Sequence, residues 1–221
     1  MSNLDLSFDE KKSTPLCEIM GRNKSDKGHV NLQTCKHNYT TCYHHLFQNI
    51  RYQPLRIFEL GIGTNNPYLP SSMGVDGRPG ASLYGWAEYF PHSYIFGADI
   101  DRNILFQTNR IKTFYCDQTD PNSIQQLWNE PSLKDHEFDL IVEDGLHELS
   151  AHILFLEQSL HKINKDGYYV IEDILDYNIP AIKSKIKEWE VRYPNFVFSL
   201  LTIPNDINTL DNTLLIAHRT V

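Results

Sequence analysis

The sequence predicts an α/β fold: a seven-stranded, mostly parallel, doubly wound sheet with helices on both faces and a C-terminal antiparallel hairpin. Three observations predict it. From Leu55 onward, short apolar runs alternate with longer amphipathic stretches, the pattern of successive right-handed βαβ units. The last two apolar runs are separated only by a polar turn, Pro204 to Asn212, too short for a helix, so they pair antiparallel. A chain of 221 residues with 41% hydrophobic content can bury one sizeable core, which excludes global disorder.

Taken in order, residues 1–30 show little hydrophobic periodicity and read as an arm or lid. Residues 36–50 place Tyr39, Tyr43, Leu46, Phe47 and Ile50 at helical spacing and predict a short amphipathic helix. Residues 1–52 are therefore expected to form an N-terminal arm and helix covering the site, and 53–221 the main domain, in a single globular unit. The apolar runs at 55–60, 94–98, 111–115, 138–143, 168–172, 196–203 and 213–217 are the predicted strands, most of the first five apolar enough for burial on both faces. Helices are predicted at 82–90, 102–109, 121–130, 146–163 and 179–192. The clearest is 146–163, where Leu146, Leu149, Ile153, Leu156, Leu160 and Ile163 recur every three or four residues. Residues 64–81, rich in Pro, Gly and Ser, read as a long surface loop of the kind that carries function.

Charge narrows the function classes. Twenty basic against 28 acidic side chains give a formal net charge of −8, which disfavours general binding to nucleic acid or anionic membranes. No run reaches the roughly 18 apolar residues needed to span a bilayer. The polar start, Met1 to Lys12, lacks the apolar stretch of a secretory leader. Cys17, Cys35, Cys42 and Cys116 form no C-x-x-C pair and read as free thiols of a reducing compartment. A soluble, cytoplasmic chain is expected, and the sequence leaves both a monomer and a homo-oligomer open. Cys35, His37, Cys42 and His44 follow C-x-H spacings foreign to common zinc modules, so zinc is not expected there.

The chemistry-bearing residues fall at strand ends. Glu59-Leu60-Gly61-Ile62-Gly63 closes the first strand, where glycines let the backbone pass close to a ligand. Asn66 stands where a dinucleotide fingerprint needs its third glycine, and the acid two residues before Gly61 suits a cationic or hydrogen-bond-donating ligand better than a pyrophosphate. Asp99 ends the second strand, where a carboxylate can accept both hydroxyls of a ribose, while Asp101 reads as a helix N-cap. Asp117 and Gln118 follow the third, with Asp117 a candidate acceptor for an adenine amino group. Each alone also fits an ordinary turn. Three acidic positions after three consecutive strands, at one sheet edge, point together to a nucleoside site.

The most specific constellation lies further on. Strand four ends in Glu143-Asp144-Gly145-Leu146-His147 and strand five in Glu172-Asp173. The 28 residues from Asp144 to Glu172 hold one helix and one strand, so the two strands are expected to be neighbours. Asp144, Glu172 and Asp173 would then converge and repel unless protonated or bridged by a cation. Hard oxygen ligands at an open site suit Mg²⁺. His147, expected on the first turn of the next helix, would face the same edge and take a proton from an acidified hydroxyl.

With these residues in place, the chain resembles the metal-dependent sugar O-methyltransferases that use S-adenosylmethionine, typified by the mycinamicin and macrocin enzymes. The matching segments are Ser25-Asp26-Lys27-Gly28 with His37, Tyr39 and Tyr43, then Phe58 to Gly63, Ser82-Leu83, Trp86 and Phe90-Pro91. Gly97 to Asp101, Asp117-Gln118, Glu143 to His147 and Ile171 to Ile174 complete them. The resemblance implies a Rossmann-like class I methyltransferase fold, whose five parallel strands closed by a hairpin set it apart from dehydrogenases. It implies Mg²⁺ on Asp144, Glu172 and Asp173, with His147 as general base. It also implies S-adenosylmethionine at Glu59, Gly61, Gly63, Asp99, Asp117 and Gln118. The acceptor would be a sugar, nucleotide-sugar or glycan, with Tyr39, Tyr43 and the 64–81 loop expected to cover it. Two alternatives remain at this level: methylation of catechol-like or phosphate-bearing small molecules, and a non-catalytic S-adenosylmethionine-binding module. The chain is shorter than the macrolide enzymes and carries Leu146 where they usually have a small residue.

Overall fold

The structure, a computed structural model, describes residues 4–221; residues 1–3 of the expected arm lie outside the described residues. Seven strands form one sheet: β1 (Arg56–Leu60), β2 (Tyr94–Asp99), β3 (Ile111–Tyr115), β4 (Phe138–Glu143), β5 (Ile163–Ile171), β6 (Phe196–Thr202) and β7 (Thr213–Arg219). Their order is β3-β2-β1-β4-β5-β7-β6, with β1 to β5 paired parallel and β7 antiparallel to both β5 and β6. The chain reverses direction across the sheet between β3 and β4. That leaves the crevice outside the carboxyl ends of β1 and β4, where ligands of open α/β sheets bind.

Successive strand residues point to opposite faces and feed two cores. Phe58, Phe138, Trp128 and Phe155 pack together on the face covered by α4 (Pro121–Trp128), α5 (Leu149–Ser159) and α6 (Ile179–Arg192). Ile57, Leu140, Val142 and Val170 pack on the opposite face under α1 (Pro15–Asn23), α2 (Tyr39–Phe47) and α3 (Ala81–Tyr89). The first two helices are therefore built into the second core. Leu16, Ile19 and Met20, at i, i+3 and i+4, bury one face of α1 in the second core beside Trp86 and Tyr89. Thr14 caps that helix by accepting from the Cys17 amide, Pro15 opens it, and Lys24 closes it in the left-handed region at φ 68°.

Two predicted helices are corrected. Residues 102–109 form only a 3₁₀ turn at Arg102–Ile104, capped by Asp101. Beyond it, the Thr113 hydroxyl accepts from the Phe106 amide at 2.6 Å and donates to its carbonyl at 2.7 Å, which holds the chain extended. The 146–163 stretch becomes helical only at Leu149, because the Leu146 amide donates to Gln118 Oε1 at 2.8 Å and His147 adopts φ 59°. At its other end Ile163 already belongs to β5, which starts five residues earlier than the apolar run suggested. All four cysteines are buried free thiols. Among the described residues no helix is long and apolar enough to cross a membrane.

Candidate active site

A cavity of about 930 Å³ opens over the carboxyl ends of the central strands. Parallel pairing aligns those ends: Glu59 lies opposite Gly97, Leu60 opposite Glu143, and Glu143 opposite Ile171. The residues immediately after each strand therefore share one rim. Glu59, Gly61, Gly63, Asp99, Asp117, Gln118, Asp144, His147 and Asp173 all border the cavity, so nine of the twelve predicted site residues meet there. Glu172, Tyr39 and Tyr43 do not.

The nucleoside-side residues are held by short local bonds. Asp99 accepts from the Ile62 amide through Oδ2 and from the Asp101 amide through Oδ1, both at 2.9 Å. One lone-pair position remains on each oxygen. Burial raises its pKa despite those amides. Asp101 takes the capping role, accepting from Asn103 and from the Thr64 hydroxyl. Asp117 accepts from the Thr119 amide and hydroxyl. Gln118 is a strut: its amide nitrogen donates to Glu143 at 3.0 Å and its oxygen accepts from Leu146 at 2.8 Å, tying the β3–α4 and β4–α5 loops together.

The glycines are needed for packing more than for ligand approach. At Gly61, with φ 82°, an added Cβ would lie 1.9 Å from the Asp144 carbonyl oxygen. At Gly63, with φ 85°, it would lie 1.9 Å from the Met73 sulfur, where the 64–81 loop folds back over the rim. Glu59 is 1% exposed, with its carboxylate accepting from the Ser82 hydroxyl and the Trp86 indole, both at 2.5 Å. Burial raises its pKa, partly offset by Lys27.

At the other end of the cavity the expected convergence of carboxylates is present, but its arrangement differs. His147 Nε2 lies 3.2 Å from Asp144 Oδ1 and 3.4 Å from Asp173 Oδ2. Ligand atoms of these three residues all fall within 4.8 Å of one another. His147 is on the loop before α5, not on the helix; both it and Asp173 (φ 53°) adopt left-handed backbones, rare for residues with a Cβ and typical of strained functional sites. Burial disfavours the imidazolium, yet the Asp144 hydrogen bond and the charges of Asp173, Asp144 and Glu143 outweigh it and raise the pKa to about 9.

Glu172 is turned away from the cavity. Its Oε1 accepts from the Tyr43 hydroxyl at 2.6 Å, and its Oε2 pairs with Lys27 Nζ at 2.5 Å. Tyr39 donates to Asp173 Oδ1 at 2.6 Å and to the Asp211 carbonyl. Both tyrosines are buried on α2, each bonded to one of the carboxylates, and neither borders the cavity.

Lys27 is the charged residue at this end of the cavity that the motif reading gave no role. It is 2% exposed, and its ammonium lies 2.5 Å from Asp144 Oδ2, 2.5 Å from Glu172 Oε2 and 3.4 Å from Glu59 Oε1. Burial opposes its charge, but the three carboxylates outweigh that and hold its pKa well above the ordinary value. Asp144 is correspondingly held low, because Lys27 and His147 overcome the cost of its burial. Glu172 is raised by burial and by neighbouring carboxylates. The available signal was the expected repulsion itself, which demands a cation; the D-K-G segment supplies one from the chain. His37, another member of that resemblance, lies 3.4 Å from Asp173 Oδ1. His44 Nδ1 is bonded to the Tyr89 hydroxyl.

Strand order, the lone antiparallel β7 and a cavity at the switch point define a class I methyltransferase fold. The methyltransferase MycE of the mycinamycin biosynthetic pathway, solved with Mg and SAH, superposes with a TM-score of 0.70 at 20% identity, covering 95% of this chain and 56% of that one. An rRNA methylase from Streptococcus thermophilus shares the fold at a TM-score of 0.53 and 12% identity, over 82% of this chain and 96% of that one. In sequence, the chain is homologous to O-methyltransferases of glycosylated natural products. It is 32% identical over 139 residues to the 8-demethyl-8-(2-methoxy-α-L-rhamnosyl)-tetracenomycin-C 3′-O-methyltransferase of Streptomyces olivaceus, covering 62% of this chain and 32% of that one. It is 31% identical over 174 residues to the L-olivosyl-oleandolide 3-O-methyltransferase of Streptomyces antibioticus, covering 78% and 40%. The matches thus span only about a third to two fifths of those curated relatives. No protein-family model matches the chain.

Proposed function

We propose that the chain is an S-adenosylmethionine-dependent O-methyltransferase acting on a sugar hydroxyl of a glycoside, nucleotide-sugar or glycan, assisted by Mg²⁺ and by His147 as base. The observation that carries this reading is the His147 imidazole between Asp144 and Asp173, in the wall of the cavity that also reaches Asp99. The homologues named above methylate sugar hydroxyls, which supports the same acceptor class here.

The donor set fits a hard divalent cation: two carboxylates on the wall of an open cavity leave room for water or acceptor oxygens. Asp144 and Asp173 would hold it, with Glu172 able to join only when Lys27 releases it. When bound, Mg²⁺ acidifies a hydroxyl beside it, while S-adenosylmethionine brings a methyl group that is already activated. The protein's work is then alignment and proton transfer. Asp99 has two free acceptor positions for ribose hydroxyls, and Asp117 stands further along the same rim for the base. His147 would receive the acceptor's proton, which requires the neutral imidazole. Its high pKa between two carboxylates means that a positive charge added beside them favours the reactive form. The 64–81 loop borders the cavity through Pro70 to Arg78 and would enclose the acceptor.

A binding module would need no such imidazole between two acids, which favours the enzyme. The test is methyl transfer from labelled S-adenosylmethionine in Mg²⁺, to a panel of glycosides, nucleotide-sugars and catechols. Labelled glycoside is the expected product. Transfer to catechols alone would replace the acceptor assignment, and cofactor binding without transfer to any member would favour a non-catalytic module.

A further inference from the structure

Burying Glu59 and Glu172 beside the half-buried Asp144 is unfavourable unless a positive charge is buried with them. The chain supplies that charge itself. Glu59 and Glu172 are each 1% exposed, Lys27 is 2% exposed, and the ammonium touches all three acids, at 2.5, 2.5 and 3.4 Å. The ammonium donates hydrogen bonds to Asp144 and Glu172 and makes a longer ion pair with Glu59. Lys27 comes from outside the sheet, on the turn after α1, whereas its partners end β1, β4 and β5. The turn is fixed from both sides. The Ser25 amide donates to the Met20 carbonyl at 3.0 Å, and the Lys27 carbonyl accepts from the Thr40 amide at 3.2 Å. Gly28 packs so closely on Thr40 that an added Cβ would sit 2.0 Å from its hydroxyl.

We propose that Lys27 is a positioning residue, an internal counter-ion that lets the carboxylate end of the site assemble before any metal is bound. It anchors the 25–28 turn as a wall of the cavity and holds Glu172 in reserve behind Asp144 and Asp173. A divalent cation arriving at the rim then meets a preformed site, and the folded state does not depend on it.

Lys27→Met keeps the length of the side chain and removes the charge. In chelator, this variant is expected to melt about 10 °C below the unsubstituted protein, the scale of an unpaired buried charge in a chain of this size. Adding Mg²⁺ is expected to raise the melting temperature of the variant much more than that of the parent, since the metal replaces the missing charge. Lys27→Met/Glu172→Gln removes a charge from each side and is expected to recover most of the loss without metal. If the single variant does not fold, the double variant and the chelated parent still provide the comparison. Equal melting of Lys27→Met and parent in chelator, or no rescue by Glu172→Gln, would overturn the proposal. The inference rests on the metal reading only for the Mg²⁺ arm. Rescue by Glu172→Gln without rescue by Mg²⁺ would sustain the counter-ion role while contradicting the metal site.

Discussion

His147, the proposed base, also bears on stability. Its folded pKa of about 9 lies above the ordinary imidazole value near 6.5, so the charged form stabilises the fold. That contribution is complete below pH 6.5 and is lost as pH rises through 9. With metal chelated, urea unfolding is expected to lose about 2–4 kcal/mol between pH 6 and pH 9.5, and His147→Ala should flatten that slope. A parent protein equally stable at both values would contradict the His147 environment. An ordinary imidazole base would give an ascending activity limb near pH 6.5; the flanking carboxylates move it upward, and added Mg²⁺ should pull it back down. His147→Ala should remove the limb and cut kcat by roughly 10²–10⁴, the scale of losing a general base. Asp99→Ala should weaken S-adenosylmethionine binding by about 1.5–3 kcal/mol in calorimetry. Unchanged affinity there would place the ribose elsewhere.

At the scale of elements, the site depends on how strand ends and loops lock together. Gly61 packs against the first residue after β4, so Gly61→Ala must either push the β1–α3 loop off the Asp144 carbonyl or strain a positive φ. Thermal unfolding should show a loss of about 2–4 kcal/mol, with cofactor affinity falling alongside. A fully stable variant would mean that the loop has room the structure does not show. The strand ends were legible because a short apolar run closed by Gly or an acidic residue is a local signal, and parallel pairing then aligns those ends. The loop geometry between them was not. Nothing in Leu146-His147 announces that a Gln118 oxygen from another loop stops the helix short of them. Likewise α1 carries a Thr-Pro start and an i, i+3, i+4 apolar face, but the polar residues around it masked nine helical positions. Tyr39 and Tyr43 were legible as site residues by resemblance, and their buried, acid-supporting role was decided by the direction α2 faces.

Over the whole molecule, charge is distributed by purpose. A chain with net −8 concentrates buried acids at one end of one cavity and answers them with Lys27 and His147. In the proposed reading the nucleoside lies over β1 to β3 and the metal at β4 and β5, in different parts of that cavity. Cofactor binding and metal binding should therefore separate. The most direct test is the initial rate of methyl transfer to a glycoside acceptor as Mg²⁺ is titrated into chelated protein, with S-adenosylmethionine affinity measured on the same samples. The account predicts no turnover without the ion, saturable recovery with it, and a cofactor affinity that changes little throughout. Full turnover after exhaustive chelation would contradict it, leaving Asp144 and Asp173 as ordinary acceptor-binding groups.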